Sequence, residues 1–288
     1  MVTEIAEKIH RQPRLSTALS RELGEELRKI RRRARMGSAE TADALGWSLG
    51  KLSKLETGSR GTSPGEIGAL LGRLGTAPPT RDRILAIAGE PATGSFMRPH
   101  RTAPDTLTAL SLHERMARTI TTYEPFTVPA LAQTQDYTRA LTGDSAIAAA
   151  RIARQEALHA LHNLNRPHTI LYLHESAVRG IVGGPAVMRD QMLRLAMMCE
   201  TTRVTPRLIP MDAPFDQTVL RHGALLTFAE PIKSLAYAET DTATVFHEAP
   251  QIIAHYETKM LRLDTLALPQ AQSRDAFTYW ADVYDKAT

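Results

Sequence analysis

The stretch from Ser38 to Gly58, SAETADALGWSLGKLSKLETG, constrains this chain more than any other. It reads as two short helices joined by a tight turn. Ala42 and Leu45 in the first half, and Leu52 and Leu55 in the second, supply apolar positions three residues apart. Gly46 falls between the halves, where the reversal needs a residue tolerant of positive φ. Ser48 is placed to cap the second helix. This is helix-turn-helix spacing, in which the first helix braces the second and the second offers its outer face to a groove.

The 288 residues suggest two domains. Residues 1–76 carry 14 Lys+Arg against 9 Asp+Glu, an excess of five basic groups, whereas the whole chain nets only +4. A basic N-terminal third on a near-neutral remainder suits a nucleic-acid-binding module joined to something else. Cys199 is the one cysteine. It excludes an internal disulfide framework, fits a reducing compartment and reads as a small buried hydrophobe. No apolar run approaches the length of a membrane span, so the expected location is the cytoplasm.

Residues 1–19, with Lys8, Arg11, Pro13 and Arg14, read as a flexible arm. Ser20–Arg35 reads as a helix with an apolar stripe at Leu23, Leu27, Ile30 and Ala34. Glu22, Glu25 and Glu26 fall early in it, and Arg31, Arg32, Arg33 and Arg35 late, which complements the helix dipole. Ser63-Pro64 starts a helix with Ile67, Leu70, Leu71 and Leu74 on one face. Thr80 is placed to cap another through Arg81–Ala88. The expected organisation is a five-helix, all-α unit over 20–88, a Gly/Pro-rich linker over 89–105 and an α+β domain over 106–288. In that domain helices are expected over Leu107–Thr122, Gln133–Leu141, Ala146–His162, Gly183–Cys199, Ile252–Leu266 and Pro269–Tyr284. Tyr123–Leu131, with two prolines, reads as an irregular, partly extended segment. His168–His174, Val204–Ile209, Ala224–Phe228, Ser234–Ala238 and Thr244–Phe246 read as strands.

Two sets of residues carry a family resemblance. The N-terminal unit resembles the phage-repressor (XRE-type) helix-turn-helix. TYEPFTVPALAQTQDYTRAL, RIARQEAL and VGGPAVMRDQMLRL resemble the C-terminal domain of the Scr1-type, WhiJ-like, antitoxin-like actinobacterial regulators that carry a DUF5753 domain. The resemblance runs over most of Leu23–Phe277. It implies a homodimeric transcription regulator of double-stranded DNA with no cofactor and no enzymatic activity. Its C-terminal domain would answer to a small-molecule effector or a small DUF397-type protein partner.

Carried over position by position, the resemblance places Ser48, Leu49, Gly50 and Lys51 at the start of the recognition helix, with Ser53 and Lys54 one turn on. Ser38, Ser59, Arg60 and Thr62 fall at phosphate-contacting positions, and Arg31 and Glu56 at a structural pair. The departures are specific. Leu49 and Gly50 stand where glutamine or serine is usual. Arg35-Met36-Gly37-Ser38 replaces Gly-Leu-Ser-Gln, and PDTLTALSLHERMART replaces a Trp-rich start to the second domain. Leucine can touch a thymine methyl but cannot pair with adenine. Base readout then rests on Lys51, Ser53, Lys54 and DNA shape, or sequence-specific binding is lost.

Other chemistry is sparse. There is no phosphate loop and no zinc-type cysteine pattern. Gly183-Gly184-Pro185 reads as a helix start. Glu156, His159 and His162 read as exposed residues rather than metal ligands. Tyr123, His174, Glu175, Arg179 and His247 are candidates for lining a ligand pocket. Two alternatives stand beside the regulator. One is an antitoxin-like interaction module. The other is an enzyme on a regulator scaffold, for which His174, Glu175 or His247 would have to converge in one pocket.

Overall fold

The computed structural model describes residues 16–100, 104–160, 166–201, 203–214 and 216–288; most of the expected arm, including Lys8, Arg11 and Arg14, lies outside them, as does His162. The chain divides into two compact units, 1–92 and 93–288. The first is helical: α1 (Ala18–Arg33), α2 (Ser38–Ala44), α3 (Leu49–Glu56), α4 (Pro64–Arg73) and α5 (Pro78–Gly89). Each start carries its own signal. Thr17 and Ser20 form a capping box at α1, Ser48 caps α3, and Ser63 with Glu66 forms a second capping box at α4. In α5 Pro78 opens the helix after Ala77, so Thr80 lies inside it rather than capping it.

The unit closes on Leu27, Ile30, Ala42, Leu52, Leu55, Ile67, Leu70, Leu71, Ile84 and Ile87, all buried. Ala34, expected on the apolar stripe, is exposed past the end of α1. The glutamates of α1 also differ from the expectation. The helix starts two residues early, which leaves no acid in its first turn, and Glu22, Glu25 and Glu26 are buried. Glu25 accepts from Arg28 at 3.2 Å and Glu26 from Arg83 of α5 at 2.7 Å. Glu26 thus ties α1 to α5, while Glu25 pairs within α1.

The second unit is a mixed sheet with helices: β1 (Ser95–Pro99), α6 (Thr108–Met116), β2 (Thr119–Glu124), α7 (Gln135–Thr142), α8 (Ser145–His159), β3 (His168–His174), α9 (Glu175–Arg179), α10 (Pro185–Met198), β4 (Val204–Ile209), α11 (Gln217–Leu220), β5 (Gly223–Thr227), β6 (Leu235–Glu239), β7 (Ala243–His247), α12 (Pro250–Leu266) and α13 (Gln270–Asp285). The order across the sheet is β1-β7-β6-β5-β2-β3-β4. β2, β3 and β4 are parallel and joined through helices, while β5, β6, β7 and β1 pair antiparallel. One face packs Tyr123, Tyr172, Leu225 and Ala236 against Ile253, Met260 and Leu263 of α12.

Two expectations fail here for physical reasons. Ser95–Pro99, read as linker, is an edge strand held on β7, with Phe96 stacked on Phe246 at 4.9 Å. Proline at its end and glycine before it are tolerated at an edge, and from sequence they look like linker. The helix expected over Leu107–Thr122 stops at Met116, and β2 follows. Its β-branched run, Thr119 to Thr122, favours a strand between two neighbours. Cys199 is buried, and burial pushes its thiol up to about 12.

Candidate nucleic-acid interface

In the first unit, α1 crosses the C-terminal end of α3 backbone against backbone. A Cβ on Gly24 would come 2.6 Å from the carbonyl oxygens of Leu55 and Glu56, and one on Gly58 would come 2.6 Å from the Arg21 amide. Gly58 also has φ of 71°, so the turn and the close approach both call for glycine. Ser20 Oγ donates to the Gly58 carbonyl at 2.8 Å.

Beneath this crossing Arg31 grips Glu56 with two bonds, Nε–Oε1 at 2.6 Å and Nη2–Oε2 at 2.9 Å. Its remaining Nη1 donates to the Met36 carbonyl at 3.0 Å. Arg28 adds Nη2 to the Glu56 carbonyl at 3.1 Å. The Glu56 carboxylate raises the Arg31 pKa. Both partners are buried, so the pair fixes α3 against α1 with its polar groups satisfied.

The outward side of α3 is open. Leu49 is 54% exposed, and Gly50, Ser53 and Lys54 are exposed too. Nothing lies within 4 Å of the position a Gly50 Cβ would take. Ser48 spends its hydroxyl on the Lys51 amide at 3.1 Å. Ser59 and Arg60 are exposed in the following loop, where their backbone amides donate to the Lys54 carbonyl at 3.0 and 3.2 Å. Ser38 opens α2, with Gly37 capping it.

Lys51 and Thr62 are engaged within the unit. The Lys51 ammonium pairs with one oxygen of Glu66, and the Thr62 hydroxyl donates to the other. Lys51 also stands 4.3 Å above the centroid of Trp47. The bonds from Lys51 and then Thr62 hold the Glu66 carboxyl down to about 2. An acid on the next helix therefore holds two of the expected DNA-contacting groups. The expected set did not include Glu66, although its capping-box position in SPGE is legible.

At the end of α1, Arg35 adopts φ of 58°, the one non-glycine with positive φ among the described residues. Met36 N bonds to Arg31 O at 3.2 Å and Arg35 N to Arg32 O at 3.0 Å, a left-handed helix termination. The position that turns the chain carries an exposed cation instead of glycine. Arg32 and Arg33 are exposed beside it.

The pocket candidates of the second unit do not converge. Tyr123 is in the core and donates to the Val219 carbonyl at 2.8 Å. His174 caps α9 through Nδ1, 2.7 Å from Ser176 Oγ. Glu175 binds Arg179 at 2.7 Å and accepts from the Met211 amide at 2.8 Å. Arg179 lies over Trp280. His247 contacts Ser95 Oγ at 2.8 Å, four strands from His174 or about 19 Å by strand spacing. Gly183 is explained by packing, since a Cβ there would strike Ala140 at 2.6 Å. Glu156 and His159 are exposed, and no metal-binding cluster of His, Cys, Asp or Glu exists among the described residues.

A buried ionic network not foreseen from sequence does converge there. Arg154 of α8 binds Glu114 through Nε and Nη2 at 2.8 and 2.6 Å and Asp105 through Nη1 at 2.8 Å. Arg151 binds Asp105 at 3.1 Å and Gln133 at 2.6 Å, and Tyr237 donates to Glu114 at 3.3 Å. Burial alone would raise the Asp105 carboxyl, but Arg154 and Arg151 outweigh it and hold it below its ordinary value. Two arginines balance two acids.

Comparison with known proteins agrees with this division. The family model described as "Domain of unknown function (DUF5753)" matches residues 107–278, and one described as "Helix-turn-helix domain" matches residues 22–84. Among solved structures, the clp gene regulator ClgR from C. glutamicum is 29% identical over 25% of this chain and 90% of its own, with a TM-score of 0.22. The archaeal chromatin protein TrmBL2 is 10% identical over 81% of this chain and 87% of its own, with a TM-score of 0.31. No curated protein is similar enough in sequence to count as a match. Among the described residues no helix is long and apolar enough to cross a membrane.

Proposed function

We propose that this chain, which belongs to the DUF5753 family, is a transcription regulator that binds duplex DNA as a homodimer and is controlled through its C-terminal unit. One observation carries the DNA-binding part. The outer side of α3 is exposed from Leu49 to Lys54, while its inner side is clamped by the buried Arg31–Glu56 pair. A recognition helix needs that combination: rigid behind and free in front.

The contacts divide by chemistry. Lys54, Ser59, Arg60 and the amide end of α2 at Ser38 suit phosphates, and the exposed Arg32, Arg33 and Arg35 strengthen the attraction. Leu49 suits a thymine methyl, and Ser53 a base edge or a water. The bare backbone at Gly50 allows a close approach. Lys51 and Thr62 reach DNA only by exchanging Glu66 for phosphate. Dimerisation doubles this small contact surface, as paired half-sites require.

The test is binding to the DNA upstream of the protein's own gene, titrated against salt and an unrelated fragment. A preference of at least roughly tenfold, falling as salt rises, is expected. Lys54→Ala and Arg60→Ala should each weaken both fragments by about three- to tenfold and flatten the salt dependence. Equal binding of the two fragments, with both variants unchanged, would sink the reading.

A further inference from the structure

We propose that the cavity at the carboxyl ends of β2 and β6 binds a small primary ammonium ion, or the ammonium end of a larger amine. That its occupant controls DNA binding rests on the regulatory reading above; that it binds an amine does not.

The cavity is small, partly open to solvent, and floored by two cross-strand rows. Pairing aligns Thr122 with Ala224 and Ala224 with Tyr237. Side chains two residues apart share a face, so Glu124, His222 and Glu239 form the next row. The turn at 129–131 and Arg154 supply the walls.

The acceptors of this cavity are unused. Thr122 is 8% exposed, and its hydroxyl, at the cavity wall, has no hydrogen-bond partner. Such a buried hydroxyl ordinarily finds one. Neither Glu124 nor Glu239 makes a side-chain hydrogen bond or ion pair among the described residues. The two lie two strands apart, about 10 Å between backbones, a gap that two glutamate side chains can close onto one atom.

The cations nearby are committed elsewhere. Arg151 and Arg154 are balanced by Asp105 and Glu114. Lys259 of α12 donates to the backbone carbonyls of Arg221 and His222, and His222 Nε2 lies against the Glu239 carbonyl. With both glutamates ionised the cavity is short of positive charge, the more so because burial lowers the Lys259 ammonium to about 8. Burial, and then Glu239, push the Glu124 carboxyl up to about 8; a guest cation relieves that penalty.

Three N–H donors of an ammonium match three acceptors: Glu124, Glu239 and Thr122 Oγ1. His222 lies in the same row but spends its Nε2 on the Glu239 carbonyl, and no metal-binding cluster of His, Cys, Asp or Glu exists among the described residues, so the two carboxylates suit an ammonium better than a metal ion. The volume limits the buried part of the guest to a few heavy atoms.

The experiment is calorimetric titration of the full chain with propylammonium chloride at pH 8.5 and constant ionic strength. Sodium propionate and 1-propanol serve as guests of similar size and different charge. Saturable one-to-one binding of propylammonium alone is expected. Glu124→Gln and Glu239→Gln should each weaken it by about tenfold or more, and Thr122→Val by about threefold. Melting curves without amine establish that the variants are folded; the Gln substitutions remove an unpaired charge and should melt no lower than the parent. No saturable binding by the parent chain, equal binding of 1-propanol, or undiminished affinity in both Gln variants would overturn the proposal. DNA binding is measured on the same preparations without amine. A chain that takes the amine but not DNA overturns the regulator and leaves the cavity standing; the reverse outcome removes the cavity alone.

Discussion

The two units bury charge in opposite ways. In the helical unit, Arg31 and Glu56 satisfy one another with two short bonds, and Arg28 and Met36 take up the remaining groups. In the mixed unit, Asp105, Glu114, Arg151 and Arg154 close in the same manner, yet one row of side chains away Glu124 and Glu239 face a cavity with no bond to either carboxylate. A buried charge with matched partners fixes geometry and has little left to offer a ligand. A half-buried charge without one, as at Glu124 and Glu239, carries a standing electrostatic penalty that a ligand can remove. Partnered charge therefore marks scaffold, and unpartnered charge marks a site.

The sharpest way to break that distinction is to remove an arginine from each closed network. Arg154→Met strands Glu114 and leaves Asp105 with Arg151 alone, all in the interior. It should cost about 3–5 kcal/mol and unfold the second unit at modest urea. Arg31→Met should cost less, about 2–3 kcal/mol, because Arg28 still reaches Glu56 at 3.4 Å. Urea unfolding of both variants, followed by circular dichroism, gives the order. A smaller loss in Arg154→Met than in Arg31→Met would undo the claim that the second network is the scaffold of its unit.

The unpartnered acid should behave in the opposite sense. Glu124 titrates near 8 in the folded chain and near 4.5 when unfolded. Its contribution to stability is full below pH 4.5, falls as pH rises and is lost above 8. Arg151 and Lys259 temper the effect, and Glu239 adds to it. Glu124→Gln should therefore match the parent near pH 4.5 and exceed it by at least about 1 kcal/mol at pH 8.5. Melting curves at the two pH values check this. A variant less stable than the parent at pH 8.5 would mean that Glu124 has a partner in solution.

Charge on the surface tests the same idea at lower stakes. Glu66 holds Lys51 and Thr62 away from any phosphate. Glu66→Gln should tighten DNA binding by about three- to tenfold and steepen its salt dependence, since one more cation becomes available. Unchanged affinity in a fluorescence titration would show that Lys51 takes no part.

Much of this was legible in the chain, because local signals and long-range packing agree in it. Ser48 caps, Gly46 reverses with φ of 64°, and His168–His174 and Val204–Ile209 are strands at the residues their β-branched content indicated. The misses are places where a neighbour decided. β1 exists because β7 needed an edge partner, and β2 because β3 and β5 flank it. The cavity was invisible because Thr122, Glu124, His222 and Glu239 come from three separate segments, and only strand register makes them neighbours. Tyr123 drew attention from sequence as a polar group among apolar ones; alternation turned it into the core and its neighbours Thr122 and Glu124 toward the cavity.

The smallest effect sits at the end of α1, where a cation stands in a conformation that favours glycine. Arg35 holds φ of 58° at the end of α1, a conformation that costs an L side chain about 1 kcal/mol and costs glycine little. Arg35→Gly should relieve that cost against a gain in unfolded-chain freedom, for a net stabilisation of about 0.5 kcal/mol. It also deletes an exposed cation beside α2, so DNA affinity should fall slightly while stability rises. The two readouts moving in opposite directions would show that strain is tolerated at Arg35 in return for charge. Stability and affinity falling together would assign Arg35 a packing role that its exposure does not indicate.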